Sequence, residues 1–210
     1  MRLFTYGGSA NGYKIELALA QLGRARAYER VEVEIFAGEA QTPAFLARHP
    51  GGRVPLLELD DGVCIAESNA ILWHVARGTR LAPVGALEET RVVSWLCFEQ
   101  NAIEPVIGSA RYWRLTGRDR ERGDETARRI AQARRSLAEL DVALREREFL
   151  VGDRYSIADI AVYAYAHLAG DVGVDLEDTP GVAAWCRRIE AQPGYFGGPA
   201  PYSPAAMVVH

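Results

Sequence analysis

The chain changes its periodicity once. As far as residue 78, short apolar alternations are interleaved with helical patterns, and after the loop "TRLAPVGAL" no strand pattern returns. A chain written this way must stack a few strands against a few helices first and then close a purely helical unit beside them. "RLFTY" is a short β-type run ended by Gly7-Gly8. "NGYKIELALAQLG" places Ile15, Leu17, Ala18, Leu19 and Leu22 on one broad helical face and stops at Gly23. "YERVEVEIF" alternates strictly at Val31, Val33 and Ile35 and predicts a half-buried strand. "TPAFLARH" predicts a short helix with Thr42 as N-cap and Pro43 at its first position. "LLEL", the turn Asp60-Asp61-Gly62 and "VCIA" read as a hairpin, and "SNAILWHVARG" as a helix ending at Gly78. The order is βαβ, α, ββα.

Beyond that lie a long helical pattern over "LEETRVVSWLCFEQNAIEPVIGSARYWRL", broken or kinked at Pro105, and a second over "DETARRIAQARRSLAELDVALRER". "SIADIAVYAYAHLAG" and "GVAAWCRRIEAQ" are further helices. Ser156, with Asp159 three residues on, makes a capping-box start. The expected division is an α/β unit over residues 1–78 and an all-helical unit over 87–210, joined near Pro83.

One stretch asks for more than folding. In "GGRVPLLELDDGVCIAESNAIL", Pro55 cannot donate to a sheet ladder and so belongs at the first position of a strand or at an edge. Glu67 and Ser68 stand where the next helix begins, a place that offers free N–H groups and a positive dipole. A capping role accounts for Ser68 in full. It does not account for the carboxylate of Glu67 before it.

Several function classes are excluded on composition. Net charge is −4 with mixed signs, so no nucleic-acid footprint stands out. The Arg-rich segment from Arg118 to Arg135 is interleaved with Asp119, Glu121, Asp124 and Glu125 and reads as a solvated helix face. "MRLFTYGG" is too short and polar for a secretory apolar region, and no apolar run approaches a membrane span, so a cytoplasmic protein is expected. Cys64, Cys97 and Cys186 are far apart in apolar surroundings and read as buried, reduced thiols. His49, His74, His167 and His210 have no ligand spacing, and no metal is expected. Lys14 is the sole lysine in a chain whose other basic residues are arginine.

Four segments, "YGGSANGYK", "GGRVPLLELDDG", "AESNAILWHVA" and "LVGDRYSIADIAVYAYAH", together resemble the cytosolic glutathione S-transferases, and in their Ser/Asn usage the bacterial theta- or nu-like types. The resemblance spans nearly the whole chain. It implies a thioredoxin-like N-terminal domain (βαβαββα), an all-helical C-terminal domain and a homodimer. It implies a cis Val54-Pro55 bond, with the Val54 backbone pairing an extended peptide as an added strand would. Glutathione is that peptide, taken as cosubstrate. Ser68 would hold its γ-glutamyl carboxylate, Glu67 its ammonium, and Arg53 its glycine carboxylate. The family commonly has Asn-Pro-Asn-Gly-Lys before Val-Pro, whereas this chain has His49-Pro50-Gly51-Gly52-Arg53, which keeps a charge but changes its geometry.

The thiolate is the nucleophile, and a hydroxyl or amide that donates to sulfur stabilises it. Ser9 is the first candidate donor, Asn11 the second and Tyr6 the third, with Tyr6 better suited to a pocket wall. The Ser156–Asp159 motif is expected as a folding element of the helical domain. A pocket for a small hydrophobic electrophile is expected from Tyr6, Arg111, Tyr112 and Trp113, with Tyr195, Phe196 and Tyr202 of the tail as further candidates; Gln100 or Glu99 is expected at a dimer contact. Two other functions fit the same pattern: a glutathione-dependent peroxidase or disulfide reductase, and a binding protein without catalysis. The absence of cysteine in "YGGSANGYK" argues against types that form a mixed disulfide with glutathione.

Overall fold

The computed structural model describes residues 1–208; His210 lies outside the described residues. Its elements, in chain order, are β1 (Arg2–Thr5), α1 (Ala10–Gln21), β2 (Glu29–Glu32), α2 (Pro43–Leu46), β3 (Leu56–Glu58), β4 (Cys64–Ala66), α3 (Ser68–Ala76), α4 (Ala86–Phe98), α5 (Ser109–Leu115), α6 (Gly123–Leu144), α7 (Ile157–Ala166) and α8 (Pro180–Glu190). The sheet runs β2-β1-β3-β4. β1 pairs parallel to β2 and antiparallel to β3, and Leu57 lies opposite Ile65 in the β3–β4 hairpin. This is a thioredoxin-like mixed sheet with flanking helices, followed by an all-helical bundle.

The alternation at Val31, Val33 and Ile35 promised a longer β2 than forms. The ladder ends when the Val33 N–H donates to the Thr5 carbonyl at 2.8 Å, because β1 has no further residue to offer. The Glu34 side chain then accepts from the Phe36 N–H at 3.1 Å and turns Ile35–Ala37 into a single 3₁₀ turn. That turn lifts Phe36 out of the sheet. Thr42 and Pro43 do start α2 as the sequence predicts.

α1 lies on the sheet because Gly12 lets it. A Cβ at Gly12 would come within 1.9 Å of Thr5 Oγ1, so no other residue fits without moving the helix off β1. Residues 86–115 are continuous helix rather than two broken pieces. Its middle, Glu99–Gly108, widens to π-helical turns around Pro105, which has no N–H for a regular ladder. Leu17 and Ile71 of the first unit share one apolar core with Ile103, Leu137 and Trp185 of the second.

The Ser156–Asp159 capping box is present, and Asp159 does more than cap. Its fully buried carboxylate accepts from the Leu150 N–H and from Trp185 Nε1, both at 2.9 Å, tying the chain before α7 to α8. The thiols differ from expectation: Cys186 is buried, Cys64 is half-buried, and Cys97 is exposed because it sits on the outer face of α4. Arg118 is not simply solvated either. It donates to the carbonyls of Ala206 at 2.6 Å and Val208 at 2.8 Å, clasping the C-terminal tail.

Candidate active site

Two neighbouring clefts open between the sheet unit and the helical unit. The smaller, about 230 Å³, is lined by Asn11, His49, Arg53, Val54, Pro55, Glu67, Ser68, Gln100 and Glu104. It gathers every residue that the sequence pointed to for holding glutathione. The Val54–Pro55 bond is cis. The N–H and C=O of Val54 make no hydrogen bond among the described residues, so an edge for strand-like pairing is left open there.

Glu67, not Ser68, is the N-cap residue of α3, and its side chain makes no capping bond. Its backbone stands at φ 68 and ψ 117, the one non-glycine residue at positive φ among those described. Strain of this kind, in a side chain that is two-thirds exposed and so contributes little packing, is found where function holds a residue in place. The carboxylate meets Arg53 Nη2 at 3.0 Å. Ser68, the first residue of α3, is buried and donates through Oγ to Asn11 Oδ1 at 3.0 Å. The first N–H groups of α3 therefore have no side-chain partner among the described residues.

Because glycine adopts this backbone freely, Glu67→Gly is expected to stabilise the protein while weakening glutathione binding. Relief of roughly 1–3 kcal/mol of strain exceeds the ~0.4–1 kcal/mol of added unfolded-chain entropy. The exposed Arg53 pair is worth at most ~1 kcal/mol. A thermal melt beside a glutathione titration checks it; a lower midpoint would show that Glu67 serves the fold.

The larger cleft, about 400 Å³, is walled by Tyr6, Phe36, Tyr112, Tyr165 and Tyr202, with Ser9, Glu104 and Arg111 at its edge. Ser9 caps α1: its Oγ accepts from the Gly12 N–H at 3.2 Å, and the hydroxyl proton has no acceptor among the described residues. That leaves a donor pointing into the site. Tyr6 is buried and its hydroxyl accepts from the Ser203 N–H at 2.6 Å, which holds the ring in the wall of the cleft. Tyr112 stacks on Phe36 with ring centres 5.6 Å apart. Arg111 is buried, bonded to Asp171 at 2.6 Å and laid over the Tyr202 ring. A Cβ at Gly108 would strike Tyr165 at 2.9 Å, so glycine is what lets α7 bring this tyrosine to the cleft.

Three expectations fail here. Trp113 does not line the cleft; the next position along α5 turns it away, and it lies under Arg122. Tyr195 and Phe196 are off the cleft as well, Tyr195 bonded to the Tyr163 hydroxyl at 2.9 Å and Phe196 set edge-on against Tyr13. Glu99 does not reach outward: it is fully buried and paired with Lys14 at 3.0 Å. Phe36, Tyr165 and Glu104 were not foreseen, because each arrives from a different element and no local pattern marks it.

The tail is pinned beside this site. Ala200 N–H donates to the Gly7 carbonyl at 2.9 Å, and Gly198 lies close against His167. His167 donates from Nδ1 to the Tyr163 carbonyl at 2.6 Å and stacks on that ring, while its Nε2 is buried without a partner. Burial, with a smaller push from Arg111, lowers its pKa to about 4. A histidine kept neutral in the fold binds its proton more readily when unfolded, so its contribution is complete above pH ~6.5 and is lost as the pH falls toward 4. His167→Phe is expected to remove up to ~3 kcal/mol of that pH dependence. Urea midpoints of both proteins across pH 4 to 7 give the comparison; parallel curves would refute it.

Among the described residues no group of three or more His, Cys, Asp or Glu side chains is arranged to hold a metal ion, and no helix is long and apolar enough to cross a membrane.

Comparison with known proteins agrees with this fold. A family model described as "Glutathione S-transferase, N-terminal domain" matches residues 1–77, and one described as "Glutathione S-transferase, C-terminal domain" matches residues 123–188. A glutathione S-transferase structure from Pseudomonas fluorescens is 41% identical, with a TM-score of 0.90 over 93% of this chain and 97% of that one. Ure2p in complex with glutathione is 25% identical, with a TM-score of 0.81 over 92% and 95% of the two chains. Elongation factor 1-gamma of Artemia salina is 34% identical over 161 residues, 77% of this chain and 36% of that protein. The chain thus spans about a third of the length of the curated relatives it matches. It belongs to the glutathione S-transferase family.

Proposed function

We propose that this protein adds the thiolate of glutathione to small hydrophobic electrophiles. The observation that carries this is the meeting of two unlike clefts. One is polar and narrow, with the Val54 backbone, Glu67, Ser68 and the start of α3. The other is walled by aromatic rings, with the Ser9 hydroxyl at its edge. A peptide held in the first, with its γ-glutamyl end on Glu67 and Ser68 and its glycine carboxylate toward Arg53, directs its cysteinyl sulfur to the second. Ser9 donates to the sulfur, in the manner of a Ser/Asn-type transferase of the theta- or nu-like kind. Asn11 holds Ser68 in position. Tyr6, Phe36, Tyr112, Tyr165 and Tyr202 take the electrophile. Residues 1–78 then supply the peptide site and 87–210 most of the second pocket. Three unpaired cysteines suit a reducing cytoplasm. The reading includes a homodimer, with Val63, Leu87 and Val93 among the exposed apolar side chains open to a second copy.

The experiment is calorimetric titration with glutathione followed by a conjugation assay with a chromogenic aryl halide. No binding refutes the reading. Binding without turnover on any electrophile favours a second one, a binding module, which the likeness to elongation factor 1-gamma supports. Turnover of a peroxide or a mixed disulfide, with none of the halide, points instead to a peroxidase or reductase on the same site.

A further inference from the structure

We propose that Glu104 receives the proton of the glutathione thiol. This rests on the glutathione site proposed above. Glu104 is the one described residue that lines both clefts, so it stands where a sulfur passing from one to the other must lie. Its Oε1 lies over Gly108, beside Tyr165. It is half-buried, and its carboxylate makes no ion pair or hydrogen bond among the described residues.

An ionised carboxylate beside a forming thiolate would oppose it, since two like charges at one site cannot both ionise readily. The arrangement favours catalysis only if the carboxylate is where the proton goes. The S–H bond breaks with its electron pair left on sulfur, and an O–H bond forms at Glu104. After sulfur attacks the electrophile, the proton passes to the product carbanion, or to water when a leaving group departs as an anion.

The surroundings prepare Glu104 for this. Burial raises its affinity for a proton, and the negative charge of Glu99 on its own helix adds to that. Lys14 of α1 and Arg129 of α6 draw it back part of the way. Arg111 also faces the larger cleft, with its charge answered by Asp171. Glu67 and Arg53 face the smaller cleft as a pair that answer each other. The Ser9 hydroxyl favours the thiolate partner, so acid and thiol are brought toward one another in proton affinity and titrate as a coupled pair.

The test counts protons. Glutathione is titrated into the wild-type protein in two buffers of different ionisation enthalpy, and thiolate is followed by its ultraviolet absorbance. With Glu104 as acceptor, thiolate appears in the wild type with almost no proton released to the buffer. In Glu104→Gln each thiolate formed releases a full proton, and the thiolate signal titrates as a simple acid rather than holding level across the window between the two coupled steps. A full proton per thiolate in the wild type overturns the inference and leaves the transferase reading intact. Glutathione bound with no thiolate overturns the inference and favours the binding module. No binding of glutathione overturns both. The wild-type count decides by itself should the variant fold poorly.

Discussion

Replacing Ser9 with alanine is expected to raise the pKa of bound glutathione by roughly one to two units and to slow turnover by about ten- to a hundredfold at neutral pH. The free hydroxyl proton is the reason: Oγ accepts from the Gly12 N–H, and the O–H has no acceptor among the described residues, so it is left to donate. A hydrogen bond to a charged group is worth roughly 1.5–3 kcal/mol net, and one pKa unit is about 1.4 kcal/mol. Activity should return at high pH, where the thiol ionises unaided. The structure adds a consequence that sequence alone did not suggest. Ser9 is the N-cap of α1, so the alanine variant also loses about 1 kcal/mol of stability. Ser9→Asp separates the two roles, because aspartate caps a helix equally well but has no proton to give. It should keep the melting midpoint and still lose the thiolate. Should the thiolate titration stay in place in Ser9→Ala and move in Asn11→Ala, the donor is the amide and the assignment to Ser9 is wrong.

The polar cleft could be found in the sequence because its parts are local. Val54-Pro55 and Glu67-Ser68 lie within fifteen residues of one another, on either side of one hairpin. Each owes its role to backbone geometry that its own residue type betrays: a proline at a strand's start, a polar pair at a helix's start. The aromatic cleft could not be found in this way. Phe36 reaches it because β2 stops early, Tyr165 because Gly108 yields space across α7, and Tyr202 because the tail is pinned by Arg118 and the Gly7 carbonyl. The causes for Tyr165 and Tyr202 lie far along the chain from their effects, and β2 stops early because β1, in another part of the chain, ends at Thr5. Arg111 and Tyr112 came within reach of the argument, but their neighbour Trp113 shows its limit: adjacent residues on a helix face different ways, and only the packing of α5 decides which face is used. The succession of strands and helices along the chain and the helical second unit followed from periodicity. The π-helical stretch around Pro105, which aims Glu104 at the junction of the clefts, did not, since a proline in a helical pattern signals a break as readily as a widened turn.

The lone lysine is where the largest loss of stability is expected. Lys14 is fully buried, and its Nζ meets Glu99 Oε2 at 3.0 Å and Asn69 Oδ1 at 3.1 Å. Asn69 in turn donates to Glu99 and to the Leu96 carbonyl, so α1, α3 and the helix beginning with α4 are joined through three side chains. Burial pulls the Lys14 pKa down, and the neighbouring Glu99 opposes that pull. Lys14→Met fills the same space but leaves the Glu99 carboxylate buried, with one oxygen that already lacks a hydrogen bond and another that has lost its cation. Breaking a buried pair from one side costs roughly 3–5 kcal/mol, which in a chain of this size lowers the melting midpoint by about 10 °C. Changing both residues, Lys14→Met with Glu99→Leu, removes the stranded charge and is expected to recover most of the loss. A double-mutant cycle measured by urea unfolding gives the coupling directly. Additive losses would mean that the two groups are solvated independently in solution. Recovery of stability in the double variant, with glutathione affinity reduced, would assign the pair a second duty: holding Asn69, and with it the first turn of α3, against the polar cleft.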